Sequence, residues 1–178
     1  MLATGCDKLF DLDRLPVPLS DAKLDGVAGD GPVDTPDIAE CPVGFVPNAV
    51  GTSYKLAPDP LGWTAAKAAC KNLLNGGGLH THLAVLVDKV EYDAAWIFIG
   101  GMGSPWVGAF DTVLTDQQAK FEWVTNENAG SMAWDLSQPD QPDTQACARM
   151  RTPTGMDNET CAMIFTYLCE CDTHPDIY

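Results

Sequence analysis

The chain has 178 residues, a length that suits one domain with an additional segment. Hydrophobic residues make up 46% of it, enough for a core, and no apolar run approaches the length needed to cross a bilayer. The formal net charge of -15 excludes nucleic acid as a partner, because so acidic a surface repels a phosphate backbone.

The chain begins with small residues before a cysteine, in the run Met1-Leu2-Ala3-Thr4-Gly5-Cys6. This run is similar to a bacterial lipobox, in which the cysteine receives lipid. Ala3 stands where leucine is usual, and no basic or apolar stretch lies upstream. We predict a lipid on Cys6 as the only contact with a membrane. The alternative is an ordinary cysteine in a flexible tail.

Residues 7–40 are predicted to form an acidic tether. They are rich in Asp, Pro and Gly, show no sustained period, and carry breaker signals such as Asp30-Gly31-Pro32. Such a segment cannot bury enough surface to offset the entropy lost on ordering. The predicted organisation is therefore a lipobox-like start and tether over 1–40, a compact domain over 41–172 and a tail over 173–178.

The first helix is predicted from Trp63 to Leu74, before the glycines at 76–78. Its predicted buried face comprises Trp63, Ala66, Cys70 and Leu73. A short strand is predicted from Leu83 to Val87. Asp88 and Glu91 have the spacing of a capping box and predict the start of a second helix. Its predicted buried stripe is Val90, Ala94 and Ile97.

The pattern then changes to short apolar pieces between turns. They are Trp106-Val107-Gly108, Phe121 to Val124, Ala148 to Met150 and Met163 to Cys169. Two helices followed by such pieces predict an α+β fold with a small antiparallel sheet and long loops.

The seven cysteines include six from Cys41 onward. An even set scattered through a small chain indicates disulfides and an oxidising compartment. Cysteine spacing alone does not choose among the pairings. His80 and His82 would share a face of a strand and could hold a metal, although packing is the alternative for His82. None of the catalytic motifs G-x-S-x-G, H-E-x-x-H or the P-loop occurs, so no enzyme is expected.

Seven motifs occur in a characteristic order between Cys41 and Cys171. They are Trp63 to Cys70; His82-Leu83-Ala84 with Glu91; Trp106-Val107-Gly108; Phe121-Glu122-Trp123 with Trp134; Gln138-Pro139-Asp140; Cys147 with Cys161; and Cys169-Glu170. In this order they resemble the C-type lectin-like fold, a disulfide-stabilised α+β domain with a long ligand-binding loop region. The resemblance implies an extracellular or cell-surface protein, and the lipobox-like start predicts that it is a bacterial membrane-anchored lipoprotein.

The resemblance also implies a disulfide map. It pairs Cys70 with Cys169 and Cys147 with Cys161, which leaves Cys41 and Cys171 at the two ends of the domain. A third bridge between these two is expected, because the fold brings its termini together. The alternative is that one of them is free or joined to another chain.

A calcium site is the next implication. In sugar-binding relatives the two residues that flank a cis proline contribute ligands, as would Gln138 and Asp140 here, and "QPD" accompanies a galactose-type preference. Gln145 stands where a glutamate is usual. Asp157 and Asn158 stand in reversed order where "WND" is usual.

The predicted site therefore comprises Gln138, Asp140, Gln145, Asp157 and Asn158. With two carboxylates it would bind calcium weakly, although Asp143 and Glu159 could add more. The expected function is calcium-assisted binding of a carbohydrate or glycoconjugate. The alternative is a calcium-independent module of the same fold that binds a protein.

Overall fold

The computed structural model describes residues 40–76, 78–101, 103–113, 120–141 and 143–178. The predicted tether and the predicted lipid on Cys6 lie outside these residues. Neither helix in the described part of the chain is long and apolar enough to cross a membrane.

Within the described residues, nine strands form one sheet beside two helices. The strands are β1 Val46–Pro47, β2 Ser53–Leu61, β3 Asn75–Gly76, β4 Leu79–Leu83, β5 Trp106–Asp111, β6 Phe121–Trp123, β7 Cys147–Thr152, β8 Gly155–Glu159 and β9 Phe165–Asp172. The helices are α1 Trp63–Lys71 and α2 Lys89–Phe98.

The order along the sheet is β1-β2-β9-β5-β7-β8. Strand β4 pairs with both β9 and β3, and β6 pairs with β5. The α+β class is as predicted, but the sheet is not wholly antiparallel, because β5 and β9 pair in parallel where Trp106 meets Tyr167. Whether two strands pair in parallel depends on which distant segments come together. Local apolar patterns carry no information about that.

Helix α1 ends three residues before the predicted Leu74, at Lys71. The Thr81 hydroxyl donates to the Cys70 carbonyl at 2.7 Å and accepts from the Leu74 N–H at 2.9 Å. It thus takes hydrogen bonds that a further helical turn would use. Leu73 consequently lies beyond the helix and is 39% exposed rather than buried.

The predicted strand Leu83–Val87 is displaced, because regular pairing ends at Leu83. The next residues are buried but bond irregularly: the Ala84 N–H donates to the Leu168 carbonyl, and the Val85 N–H donates to the Glu170 carboxylate at 2.7 Å. A side-chain carboxylate thus replaces a backbone partner, which satisfies a buried N–H without a strand.

Helix α2 begins where predicted. Asp88 accepts from the N–H groups of Val90 and Glu91, at 2.8 and 3.0 Å. The Glu91 carboxylate accepts from the Val87 N–H, one residue before the N-cap, rather than from the N-cap itself. The pair therefore satisfies three N–H groups at this end of the helix.

The predicted buried stripe of α2 was wrong. Val90 is 65% exposed and Ile97 77% exposed, whereas Tyr92, Ala95 and Ile99 are buried. The Tyr92 hydroxyl is in contact with two backbone carbonyls of the turn between β7 and β8 at 2.6 and 2.7 Å. These hydrogen bonds need the tyrosine face inward, and the helical period alone fits either face.

Three disulfides tie the sheet to its surroundings. They are Cys41–Cys171, Cys70–Cys169 and Cys147–Cys161, with Cα–Cα distances of 5.9, 5.4 and 5.1 Å. These are the pairs that the resemblance implies. Two of them end on β9, the central strand that also pairs with β2, β4 and β5.

The last six residues, set apart by the sequence as a tail, lie against the domain. Asp176 is buried beside the ammonium groups of Lys67 and Lys71, each 3.4 Å away. The Ile177 N–H donates to the Val124 carbonyl at 3.0 Å. The domain therefore includes residues 173–178.

Candidate functional site

One open pocket of about 200 Å³ has all five of the predicted site residues in its lining. Its lining comprises Gln138, Asp140, Gln145, Arg149, Arg151, Asp157, Asn158 and Glu159. Glu159 joins them as a further carboxylate, whereas Asp143 is exposed and outside the lining. Sequence reasoning missed Arg149 and Arg151. The available signal was their spacing of two, which puts both on one face of a strand; in the structure both lie on β7.

Asp135 fixes the start of the loop that carries the first ligand positions. Its two carboxylate oxygens accept from the hydroxyls of Thr154 and Thr152, at 2.7 and 2.9 Å. The hydrogen bond from Thr154 is the main reason that the pKa of Asp135 is lowered. These two hydrogen bonds attach the start of the loop to the turn between β7 and β8.

Gly155 allows the loop and the turn to approach each other closely. A Cβ atom at this position would lie 2.3 Å from the carbonyl carbon of Trp134. Three residues after Asp135, the Gln138–Pro139 peptide bond is cis, as the resemblance implies. The loop thereby brings Gln138 and Asp140 to the pocket.

Asn158 closes the other side of the loop. Its side-chain oxygen accepts from the Asp140 N–H at 2.8 Å, and its nitrogen donates to the carbonyls of Gln145 (2.8 Å) and Asp140. Every hydrogen bond of this buried amide therefore serves the loop backbone.

Gln145 completes the contacts among the amides. With its side-chain nitrogen turned inward, it donates to Asp140 Oδ1 at 3.0 Å and to the Asn158 carbonyl at 2.9 Å. The Asp140 carboxylate thus accepts a hydrogen bond within the pocket, from the residue that stands in place of the usual glutamate.

Asp157 lies between two guanidinium groups. Arg149 Nη2 is 2.9 Å from Asp157 Oδ2, and Arg151 Nη1 is 3.3 Å from Asp157 Oδ1. Arg149 Nη2 also lies 3.4 Å from Glu159 Oε2. The carbon atom of the Arg149 guanidinium group also lies 4.5 Å from the centre of the Phe165 ring. Stacking and two carboxylates therefore hold this cation in place.

These residues do not fit a calcium ion. Calcium needs six to eight oxygen ligands, several of them anionic. Here Asp157 Oδ2 accepts from Arg149, Asp157 Oδ1 forms an ion pair with Arg151, and the Asn158 oxygen accepts from a backbone N–H. An added cation would also meet the positive charges of Arg149 and Arg151. The positive charges of Arg149 and Arg151 thus lie where the resemblance implies a metal ion.

Comparison with known proteins finds similarity in three-dimensional structure. No family model matches the chain, and no curated protein matches it in sequence. Among solved structures, the C-type lectin CEL-I from Cucumaria echinata superposes with a TM-score of 0.66 at 17% identity, over 76% of this chain and 100% of that protein.

Two further solved structures are similar. The carbohydrate-recognition domain of a mouse scavenger receptor C-type lectin has a TM-score of 0.60 and 21% identity, over 78% of this chain and 99% of that one. A calcium-independent type II antifreeze protein has a TM-score of 0.58 and 19% identity, over 74% and 93%. Two helices, a mixed sheet and three disulfides agree with these neighbours, and the chain has the C-type lectin-like fold.

Proposed function

We propose that this chain is a non-enzymatic carbohydrate-binding module whose pocket binds sugar hydroxyls directly, without calcium. The observation that carries the proposal is the pairing of Asp157 with both Arg149 and Arg151 at the position where the resemblance implies the metal. The sequence alone implied weak calcium binding, and these two arginines are the reason to revise that expectation.

The guanidinium groups can replace the structural part of a metal's role. A calcium ion draws carboxylates together and fixes their geometry. Arg149 does the same for Asp157 and Glu159 through charge-assisted hydrogen bonds, and its planar group presents several donors in a fixed arrangement. The pocket is thus ordered before any ligand arrives, which lowers the entropic cost of binding.

The chemistry of the lining favours a ligand rich in hydroxyl groups. Hydroxyls donate and accept, so they can pair with carboxylates such as Asp140 and with guanidinium donors such as Arg151. Pockets for drug-like molecules are mostly apolar, unlike this polar lining. A similar structure is of a murine dendritic cell inhibitory receptor 2 lectin domain in complex with N-glycan, at 19% identity.

Independence from calcium is compatible with this fold, because one similar structure is described as a calcium-independent protein. The galactose-type preference implied by Gln138-Pro139-Asp140 stays a prediction. It belongs to relatives in which calcium holds the sugar, so the sugar preferred here has to be measured.

The place of action follows from the disulfides and the fold. Three disulfides are typical of proteins that mature in an oxidising compartment, and we infer an extracellular or cell-surface location. Attachment through a lipid on Cys6 stays a prediction. Mass spectrometry of the protein from its native host would detect the diacylglyceryl group, and an unmodified Cys6 would contradict it.

A glycan array tests the proposal with the full chain. We expect the same glycans to be bound in calcium and in chelator, and Asp140→Asn to abolish binding because it removes a charged acceptor from the pocket. Asp143→Asn is the matched control, since it removes the same charge from an exposed position outside the lining. Absence of any bound glycan would favour the protein-binding alternative.

A further inference from the structure

A second group of ligating side chains lies at the end of β9, among residues that the carbohydrate proposal does not use. Asp172 is the last residue of β9, and His174 follows two positions later. Glu127, from the segment after β6, meets them. The carboxylate and imidazole groups of these three residues point toward one another and are partly open to solvent.

The separations of the three ligating atoms suit one metal ion. His174 Nδ1 lies 3.1 Å from Asp172 Oδ2 and 3.8 Å from Glu127 Oε2. All three atoms are within 4.8 Å of one another. Ligands bound to zinc at about 2.0–2.2 Å in tetrahedral geometry lie about 3.4 Å apart. The two separations from His174 are within about half an ångström of this value, and the two carboxylates, at most 4.8 Å apart, would close to it around the ion.

His82 and the His174 backbone N–H hold Asp172 in the orientation that such a site needs. His82 Nε2 lies 3.1 Å from Asp172 Oδ1, and its other ring nitrogen lies 2.9 Å from the Leu83 carbonyl. The His174 N–H donates to the same Oδ1 at 2.6 Å. These contacts use one oxygen of Asp172 and leave Oδ2 directed at His174, which is the supporting shell that protein metal sites require.

The third ligand is also supported. The Thr125 hydroxyl donates to Glu127 Oε2 at 2.7 Å. The His174 side chain is 51% exposed, so an ion and its remaining water ligands can reach the site from solvent. Two carboxylates neutralise a divalent charge, and the net charge of -15 on the whole chain favours the approach of cations.

We propose that Glu127, Asp172 and His174 form a binding site for a divalent transition-metal ion, of which zinc is the probe. One nitrogen and two oxygen ligands are a donor set that zinc accepts, with water in the fourth position. The role is structural: the ion would join the end of β9 to the segment after β6. The sequence paired His80 with His82 as a zinc candidate. Among the described residues, His82 groups with Glu170 and Asp172, whereas His80 belongs neither to that group nor to the site proposed here.

Zinc titration of the full chain, without an affinity tag and after chelator treatment, tests the site by calorimetry. We expect one zinc ion per chain, and at least a tenfold weaker Kd in both His174→Gln and Glu127→Gln. His80→Gln is the matched control, because it removes a histidine outside the cluster, and its Kd should stay within about twofold of the original. Asp172→Asn is avoided, since it also removes the partner of buried His82.

Stability gives an independent readout. Zinc should raise the Tm of the original chain and of His80→Gln, but not that of His174→Gln, because an ion that binds only the folded state stabilises it. No saturable zinc binding up to millimolar concentration, or equal binding by His174→Gln and the original chain, would overturn the proposal. The three residues would then be a hydrogen-bonded cluster of charged side chains with no metal.

Discussion

Arg149 and Asp157 stand directly opposite each other in the β7–β8 pair, and 2.9 Å separates Nη2 of the arginine from Oδ2 of the aspartate. Asp157 is one of the residues that the resemblance assigns to calcium, and its side chain is only 6% exposed. A buried carboxylate needs a positive partner. In this chain the partner is a side chain of the neighbouring strand, which is why we propose that the pocket works without calcium.

Replacement of Arg149 should destabilise the domain. Arg149→Leu leaves the buried Asp157 carboxylate with Arg151 alone, and we expect a loss of about 2–3 kcal/mol in the free energy of unfolding by urea. Lys89→Leu is the control, because Lys89 pairs with Asp93 at an exposed position and should change stability by less than about 1 kcal/mol. Equal losses in the two variants would mean that the Arg149 pair has no special importance.

Calcium binding should appear when the two cations are removed. We expect the variant with Arg149→Gln, Arg151→Gln and Gln145→Glu to melt a few degrees higher in excess calcium than in chelator, since tenfold saturation of a site contributes about 1.4 kcal/mol. The original chain, freed of bound zinc beforehand, should melt at the same temperature in both. Adding Asp140→Asn to the variant should remove the calcium effect. A calcium-dependent Tm in the original chain would contradict the assignment of the arginines.

Asn158 should matter through the loop rather than through the ligand. Asn158→Ala removes the donor to the Gln145 carbonyl and leaves the Asp140 N–H with only its longer hydrogen bond to Gln138 Oε1, and we expect a loss of about 1–3 kcal/mol in urea unfolding. Glycan binding should weaken with it, because the loop that carries Asp140 loses its anchor. Asn128→Ala is the control, because Asn128 is a loop asparagine outside the pocket lining that accepts from the Gly130 N–H. A stable Asn158→Ala domain with normal glycan binding would contradict this role.

Much of the site could be predicted from sequence because it depends on spacing along the chain. Gln138 and Asp140 were placed by their distance from Trp134, and Asp157 and Asn158 by their distance from Cys161. Arg149 could not be placed in this way. Its contact with Asp157 depends on the register of β7 against β8, and Gly155–Glu159 was not predicted as a strand.

The parts of the fold that sequence missed have a common physical origin. The early end of α1 depends on the hydroxyl of Thr81, and the irregular backbone at Val85 depends on the carboxylate of Glu170. In α2, the tyrosine at position 92 selects the buried face through carbonyls of a distant turn. In each case a hydrogen bond to a residue outside the element overrides the local pattern.

The most direct test of the account is the affinity of one glycan, chosen from the array, measured by calorimetry on a single preparation in excess calcium and again in chelator. We predict Kd values within about twofold of each other, because Arg149 and Arg151 already neutralise Asp157 and order the pocket. A Kd at least tenfold weaker in chelator, or binding seen only in calcium, would contradict the claim that this pocket binds sugar without a metal.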